Sequence, residues 1–287
     1  MRNIDLDTLD IFRTVVREGG ILRAAEKLHR VQSNVTTRIK QMEQRLGVTL
    51  FRRQGRRLVL TEAGQTLLTH ADRLLKFADE AEENTRGAAL AGPLRIGSME
   101  STAASHLPGL LSTVHQQHPD IRLMVETGTT DALIRRVGTY ELDAAFVGEP
   151  HNIRDLNARP VFREDLVLIS SRTRSTIRRP QDLQGDTLLF FARGCAYRAC
   201  LERWLAAGGV RIDRAMDFTT YQAIIACAAA GTGVGIMPRR ALETQAAARE
   251  IRAHTLPEDV AQNTTHLVWQ GEITPKLGLL MNVVPGI

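Results

Sequence analysis

The sequence predicts an α/β protein with a small, basic helical module at its N-terminus and a larger α/β module after it. Two observations carry this prediction. Positive charge is concentrated near the N-terminus, and strand-like and helix-like segments alternate from residue 93 onward. The length of 287 residues and the hydrophobic share of 43% are those of a globular chain of about two domains, and they exclude a disordered polyelectrolyte.

The charge is distributed unevenly along the chain. Residues 1–60 contain 13 Lys and Arg against 6 Asp and Glu, a net charge of +7. Residues 61–287 contain 24 against 26, a net charge of −2, and the whole chain carries +5. A basic module joined to a slightly acidic one indicates that only the first neutralises phosphates. The alternative to phosphate binding is a basic surface that is only exposed to solvent.

The composition also bears on location and chemistry. No apolar run approaches the roughly 20 residues of a membrane span, and the first residues do not resemble a signal peptide. Three cysteines are too few for a disulfide framework, and an odd number cannot all be paired within the chain. We therefore expect a cytoplasmic protein that does not interact with a membrane.

We expect no enzymatic activity, no cofactor and no metal site. The sequence has no Gly-x-Ser-x-Gly elbow, and His115 and His118 lack the partners of a zinc motif. The glycine-rich segment 231–235 lies between a predicted helix and a predicted strand. A dinucleotide fingerprint requires the opposite order, so we interpret the segment as a tight connection.

Three helices are predicted in the basic module, over about 5–17, 21–28 and 32–46. Asp5 or Asp7 can cap the first helix, and Gly47 ends the third. The third helix has one apolar stripe at helical spacing, formed by Val35, Ile39, Met42 and Leu46. Its other face carries amides, hydroxyls and a cation: Gln32, Ser33, Asn34, Thr37, Arg38 and Gln41. Such groups near a helix start are typical of a recognition helix that reads base edges.

A basic hairpin follows the third helix. Two short extended segments flank Gly55, and four arginines lie at the tip: Arg52, Arg53, Arg56 and Arg57. Such a hairpin can lie against a sugar-phosphate backbone as a wing.

With these motifs in place, the segments 23–29, 32–36, 46–51 and 60–64 resemble the winged helix-turn-helix of LysR-type transcriptional regulators. The resemblance is continuous over about the first 65 residues and implies double-stranded DNA and RNA polymerase as partners. The DNA-binding residues expected from it and from the charge pattern are Arg23, Arg30, Gln32, Ser33, Asn34, Thr36, Thr37, Arg38, Arg52, Arg53 and Arg56. Where the family commonly has a small residue and then Ser, this chain has Asn34 and Thr36-Thr37, so the preferred bases are expected to differ.

A long helix is predicted to connect the two modules over about 62–86. Five apolar residues step by 4, 3, 4 and 3 along it: Leu67, Ala71, Leu74, Ala78 and Ala81. This heptad-like seam favours helix pairing between chains. The resemblance implies the same, with dimerisation through the linker helix and a homotetramer built as a dimer of dimers. We therefore assign 1–61 to the winged helix-turn-helix, 62–86 to the linker and 87–92 to a hinge.

The remaining residues, 93–287, are predicted to form a mainly parallel sheet covered by helices. The resemblance implies two α/β subdomains of periplasmic-binding-protein type with a small-molecule effector between them. We place subdomain I at 93–161 and 265–287, and subdomain II at 162–264.

Ligands in such sheets bind beyond the carboxyl ends of the strands. The expected effector-binding residues are Ser98, Met99, Glu100, Ser101, Thr102, Thr129, Gly148, Gly194, Cys195, Arg198 and Thr219. Arg193 or Arg198 can hold a carboxylate, and Glu100 an ammonium group, so we expect an amino-acid-like or carboxylate effector. Helix caps at Ser101 and Thr130, and a surface charge at Arg193, are the alternatives for those residues.

Other functions remain open at this stage. Peroxide-sensing members of the family carry a reactive cysteine in a similar loop, although with a different spacing to the second one, so Cys195 and Cys200 suggest a redox sensor as an alternative. Cys227 is expected in the core. A solute-binding protein or an enzyme built on the α/β module is a more distant alternative.

Overall fold

The computed structural model describes residues 4–55, 57–85, 90, 92–149, 152–153 and 156–287. The chain forms two compact units, Met1–Ala89 and Leu90–Ile287. Within the described residues, no helix combines the length and the apolar character needed to cross a bilayer. The predicted hinge, residues 87–92, lies outside the described residues except for residues 90 and 92.

The N-terminal unit has the predicted order of a helical triad, a hairpin and a long helix. Its elements are α1 (Leu6–Arg17), α2 (Ile21–Lys27), α3 (Gln32–Leu46), β1 (Phe51–Gln54), β2 (Arg57–Leu60) and α4 (Glu62–Thr85). Asp5 is the residue that caps α1, because its carboxylate accepts the Thr8 backbone N–H at 2.8 Å. Gly47 ends α3 in the left-handed region, at φ 70°. The observed bounds of α1, α2 and α3 confirm the three predicted helices.

One buried cluster holds this unit together. It combines residues of α1, the apolar stripe of α3 and the first half of α4: Leu9, Ile11, Phe12, Val15, Ala24, Ala25, Val35, Ile39, Met42, Leu50, Leu67, Ala71 and Leu75. The residues of the predicted seam of α4 therefore do not share one environment. Leu67 and Ala71 pack inside the unit with Leu75, whereas Leu74 is 45% exposed and its neighbour Phe77 is 72% exposed.

The hairpin β1–β2 is joined to α3 by polar contacts and lies close to α4. Glu43 of α3 accepts the backbone N–H groups of Leu50 at 2.7 Å and Phe51 at 3.2 Å. Gly64 allows α4 to approach the hairpin, because a Cβ there would collide with the Leu50 carbonyl oxygen. The hairpin is thus held beside α3.

The C-terminal unit alternates strands and helices. Its elements are β3 (Gly92–Ser98), α5 (Glu100–Ser105), α6 (Leu107–Gln117), β4 (Ile121–Thr127), α7 (Thr130–Gly138), β5 (Ala144–Gly148), β6 (Asn157–Ser171), β7 (Thr187–Phe191), α8 (Ala196–Ala207), β8 (Arg214–Phe218), α9 (Tyr221–Ala229), β9 (Val234–Pro238), α10 (Arg239–Glu243), β10 (Ile251–Thr255), α11 (Glu258–Ala261), β11 (Gln262–Trp269) and α12 (Pro275–Val283). Short 3-10 helices lie at Pro180–Leu183 and Ala246–Glu250.

The strands of this unit form a mixed sheet in the order β4-β3-β5-β11-β6-β9-β7-β8, with β10 also paired to β6. Strand β3 is parallel to β4 and β5, and β7 is parallel to β8 and β9. Strands β11 and β6, however, run antiparallel to their neighbours. The prediction of a mainly parallel sheet was therefore wrong at the centre, where β11 and β6 lie.

The long strand β6 belongs to both halves of the unit. Its first residues pair with β11 and its last residues pair with β9 and β10. One core surrounds β3, β5, α6 and α12, and a second core surrounds β7, β9, α8 and α9. Helices α5 and α6 are separated at His106, because Pro108 disfavours helical continuation through the preceding turn.

Candidate functional site

The N-terminal half of α3 presents a polar face. Gln32, Ser33, Asn34 and Thr37 are exposed, while the apolar stripe on the other side of the helix is buried in the core. Thr36 is half-buried, and its hydroxyl donates to the Gln32 carbonyl at 2.9 Å. A shallow surface depression runs along this face, lined by Val31, Ser33, Asn34, Thr37, Arg38 and Gln41. Hydrogen-bonding groups therefore point outward where base edges could be read.

Two of the expected DNA-binding arginines converge on one carboxylate of α1. Arg30 forms a two-pronged contact with Asp7, with Nη2 2.6 Å from Oδ1 and Nη1 3.2 Å from Oδ2. Arg38 places Nη2 3.7 Å from the same Oδ2. These side chains are partly exposed, and such pairs contribute about 0–1 kcal/mol, so a phosphate can compete for both cations. Sequence reasoning missed Asp7, because no local pattern connects it with Arg30.

The other expected cations have different surroundings. Arg23 folds back over the turn after α1, and its Nε donates to the Glu18 carbonyl. Arg52 and Arg53 are exposed on β1. Arg56 lies outside the described residues.

In the C-terminal unit, most of the segment after β3 is buried. Met99 is buried in the second core, and its sulfur accepts a contact from the Thr130 hydroxyl at 3.6 Å. That hydroxyl also accepts the Gly148 N–H at 3.3 Å. Ser98, Ser101 and Thr102 are buried beside them. The structure thus brings five of the expected effector-binding residues together: Ser98, Met99, Ser101, Thr102 and Gly148.

Tyr197 completes this buried cluster and was not among the expected residues. It is fully buried in the first turn of α8, and its hydroxyl faces Ser101 and Thr265. Burial raises the pKa of this hydroxyl far above its usual value, so it stays protonated. The sequence signal that could have identified Tyr197 is its position directly before the expected residue Arg198.

Glu100 links the two halves of the unit. Its Oε2 accepts the Tyr221 backbone N–H at 2.9 Å, which joins α5 to α9. Half-burial raises the pKa of the Glu100 carboxyl, and the bond from Tyr221 partly opposes this shift. The expected partner of Glu100, an ammonium group, thus competes with a backbone amide already in place.

Arg198 is engaged by protein groups, which differs from its expected role as a free carboxylate anchor. Nε lies 2.7 Å from Glu202, and Nη1 lies 2.7 Å from Asp217. The guanidinium also lies 4.4 Å from the centre of the Phe190 ring. Only 11% of the side chain is exposed, so a carboxylate ligand would have to displace one of its two acidic partners.

The remaining expected residues lie around the start of α8 and α9. Gly194, at φ 87°, passes close to Thr129 of the α7 cap. Thr219 is exposed just before α9. Beside Gly194 lies a depression of about 340 Å³ that is lined by Asp131, Arg193, Gly194, Cys195, Ala196, Arg198, Ala199 and Glu202. Charged groups of both signs therefore border this depression.

The two candidate redox cysteines are buried. The Cys195 sulfur lies 3.8 Å from the Tyr221 hydroxyl, and burial raises the pKa of this thiol. The Cys200 sulfur contacts the Asn263 amide at 3.6 Å and Arg203 Nη2 at 3.7 Å. A reactive cysteine needs exposure and a lowered pKa, so the surroundings of Cys195 do not favour a sensor. Cys227 is half-buried against the second core.

Comparisons with known proteins agree with this organisation. Residues 6–65 match the family of bacterial regulatory helix-turn-helix proteins of the LysR type, and residues 87–284 match the LysR substrate binding domain. The HTH-type transcriptional regulator YofA of Bacillus velezensis is 39% identical over 92% of this chain and 91% of its own length. The regulator GltR of Bacillus subtilis is 37% identical over 97% of this chain and 95% of its own.

Solved structures share the fold over the whole chain. Full-length OxyR from Pseudomonas aeruginosa covers 99% of this chain and 95% of its own, with a TM-score of 0.74 and 23% identity. Full-length CbnR in complex with its target DNA covers 98% and 99%, with a TM-score of 0.65 and 21% identity. Together with the family matches and the polar face of α3, these findings identify the chain as a member of the LysR family, a DNA-binding transcriptional regulator with an effector-binding domain.

Proposed function

We propose that this regulator responds to an amino-acid-like or carboxylate effector whose carboxylate is held by Arg193. The observation that carries the proposal is the depression of about 340 Å³ at the start of α8. Arg193 is exposed at its rim, whereas the guanidinium of Arg198 already pairs with two carboxylates. Asp131 and Glu202 border the same depression and supply the negative charge that an ammonium group requires.

The size and position of the depression support a small zwitterion. Its volume lies at the lower end of the range of small-molecule sites, about 300–1,000 Å³. It includes residues from both sides of the unit, because Asp131 belongs to α7 and Arg193 precedes α8. A ligand that bridges them would bias the relative position of the two halves.

Calorimetric titration of the full-length protein with the standard amino acids and with short mono- and dicarboxylates tests this proposal. Arg193→Ala should weaken binding of the active ligand by about tenfold or more, since it removes a charge-assisted hydrogen bond. Arg211→Ala, an exposed arginine after α8, is the matched control and should bind normally. Absence of any binding, or equal binding by Arg193→Ala, would show that the effector class or its anchor is misassigned.

We further propose that the expected DNA-binding residues read and hold double-stranded DNA as sequence analysis assigns them. Arg52→Ala, on the wing, should weaken binding to every sequence. It should also make the slope of log binding constant against log salt concentration shallower by about 0.9. Gln32→Ala should chiefly relax sequence preference. Footprinting on the DNA that flanks its own gene, with and without ligands, supplies the operator. Identical behaviour of the two variants would refute the assigned reading face.

The assembly proposed for this function is a homo-oligomer, built as a dimer of dimers, that contacts RNA polymerase from its operator in the cytoplasm. The exposed apolar residues of α4 support pairing through that helix. Two-fold pairing would place two recognition helices on one operator. Within this assembly, the linker 62–86, the hinge 87–92 and the subdomain limits keep the assignments made from the sequence.

A further inference from the structure

We propose that Val31 determines part of the DNA sequence preference, by contact of its methyl groups with the C5-methyl group of a thymine in the major groove. The proposal rests on the proposed placement of the N-terminal half of α3 in that groove. Val31 comes directly before the expected reading residue Gln32 and was not itself among the expected contacts.

The exposure of Val31 is not explained by the fold. Its side chain is 71% exposed, although Val is among the residue types most often buried. It is also the N-cap residue of α3 and makes no side-chain capping bond there. Ser, Thr, Asn or Asp at this position would cap the helix with a side-chain oxygen and stabilise it. The Val31 side chain therefore contributes neither a capping bond nor core packing, although its backbone carbonyl accepts the Asn34 N–H.

The surroundings of Val31 identify the partner by its chemistry. Val31 lines the same depression as Ser33, Asn34, Thr37 and Arg38, which are hydrogen-bonding or cationic. A rim of this kind matches the groove edges and phosphates of DNA better than an apolar protein segment. Within the major groove of unmodified DNA, thymine is the base that presents a methyl group. An exposed aliphatic side chain in this setting therefore fits a thymine.

Deoxyuridine substitution tests the contact directly, since it removes the thymine methyl group and changes nothing else in the groove. Equilibrium binding of the full-length protein is measured on the footprinted operator with each thymine replaced in turn, in both half-sites. For the natural protein, replacement at one position should weaken binding about fourfold for each thymine methyl group removed, the factor expected for one buried methyl-sized group. Val31→Ala should bind thymine and deoxyuridine DNA equally at that position.

The two substitutions form a double-mutant cycle, which separates a direct contact from a general loss of affinity. If Val31→Ala weakens binding but every deoxyuridine operator keeps the same sensitivity as with the natural protein, Val31 does not read a methyl group. If no deoxyuridine substitution affects the natural protein while Gln32→Ala still relaxes sequence preference, the Val31 proposal fails and the placement of α3 stands. If neither Val31→Ala nor Gln32→Ala alters preference, the proposed reading face itself is wrong.

Discussion

Replacement of Phe77 by Ala should dissociate the dimer that α4 is proposed to form. Phe77 is 72% exposed, close to Leu74 at 45%, and both lie on the side of α4 away from the core. A Phe side chain buries about 150–250 Å² when fully covered, so about 140 Å² of Phe77 is available to a partner. At about 25 cal/mol per Å², burial of that area stabilises each side by about 3.5 kcal/mol as an upper bound.

A two-fold dimer contains this side chain twice. Because Ala keeps part of the area, we expect a cost of about 5 kcal/mol per dimer, which raises the dimer Kd by roughly three and a half orders of magnitude. Sedimentation equilibrium of the full-length chain measures this, against a monomer mass of 31.8 kDa. Thr69→Ala is the control, since Thr69 is exposed on the flank of the same helix and should leave the mass unchanged. A Phe77→Ala protein that keeps the mass of the natural one at nanomolar concentration would refute pairing through this stripe.

Three other predictions concern stability and reactivity. Burial raises the pKa of Glu100 above its usual 4.5, so the folded state binds this proton more tightly than the unfolded state does. The free energy of unfolding should therefore fall as the pH rises from 4.5 through the raised pKa of the folded state. Glu100→Gln should remove this part of the decline in urea unfolding followed at successive pH values. Gly64→Ala should lower the free energy of unfolding by about 1–2 kcal/mol, because the collision with the Leu50 carbonyl outweighs the gain in helix propensity. In the native protein, Cys195 should react with a thiol reagent only after unfolding, because it is buried and its thiol pKa is raised.

Each of these predictions has a contrary outcome. An unchanged pH dependence in Glu100→Gln would mean that this carboxyl does not couple to folding. Gly109→Ala is the control for Gly64→Ala, since Gly109 is helical and a Cβ there meets open space, so that change should stabilise the protein. Equal effects would refute the close approach at Gly64. Rapid labelling of native Cys195 that peroxide abolishes would instead favour the redox-sensing alternative.

Local patterns in the sequence were sufficient to determine the elements of the DNA-reading unit. The bounds of α3 follow from its apolar stripe and from Gly47, whereas the sequence left the cap of α1 open between Asp5 and Asp7 and the structure assigns it to Asp5. These signals lie within a few residues of the elements that they define. The excess positive charge of residues 1–60 is equally local information, as is the resemblance to the LysR family.

Only the tertiary structure decided which distant groups meet. The β6 and β11 strands pair across about 100 residues of sequence, and their antiparallel direction made the sheet mixed. Likewise Arg30 donates to Asp7, and Arg198 donates to Asp217. No spacing of these residues in the sequence predicts either pair. The partners of a side chain depend on how the chain returns upon itself. Sequence therefore determined the elements of the N-terminal unit and the family and predicted a reading face, whereas packing decided which charged groups are paired and which remain available to a ligand.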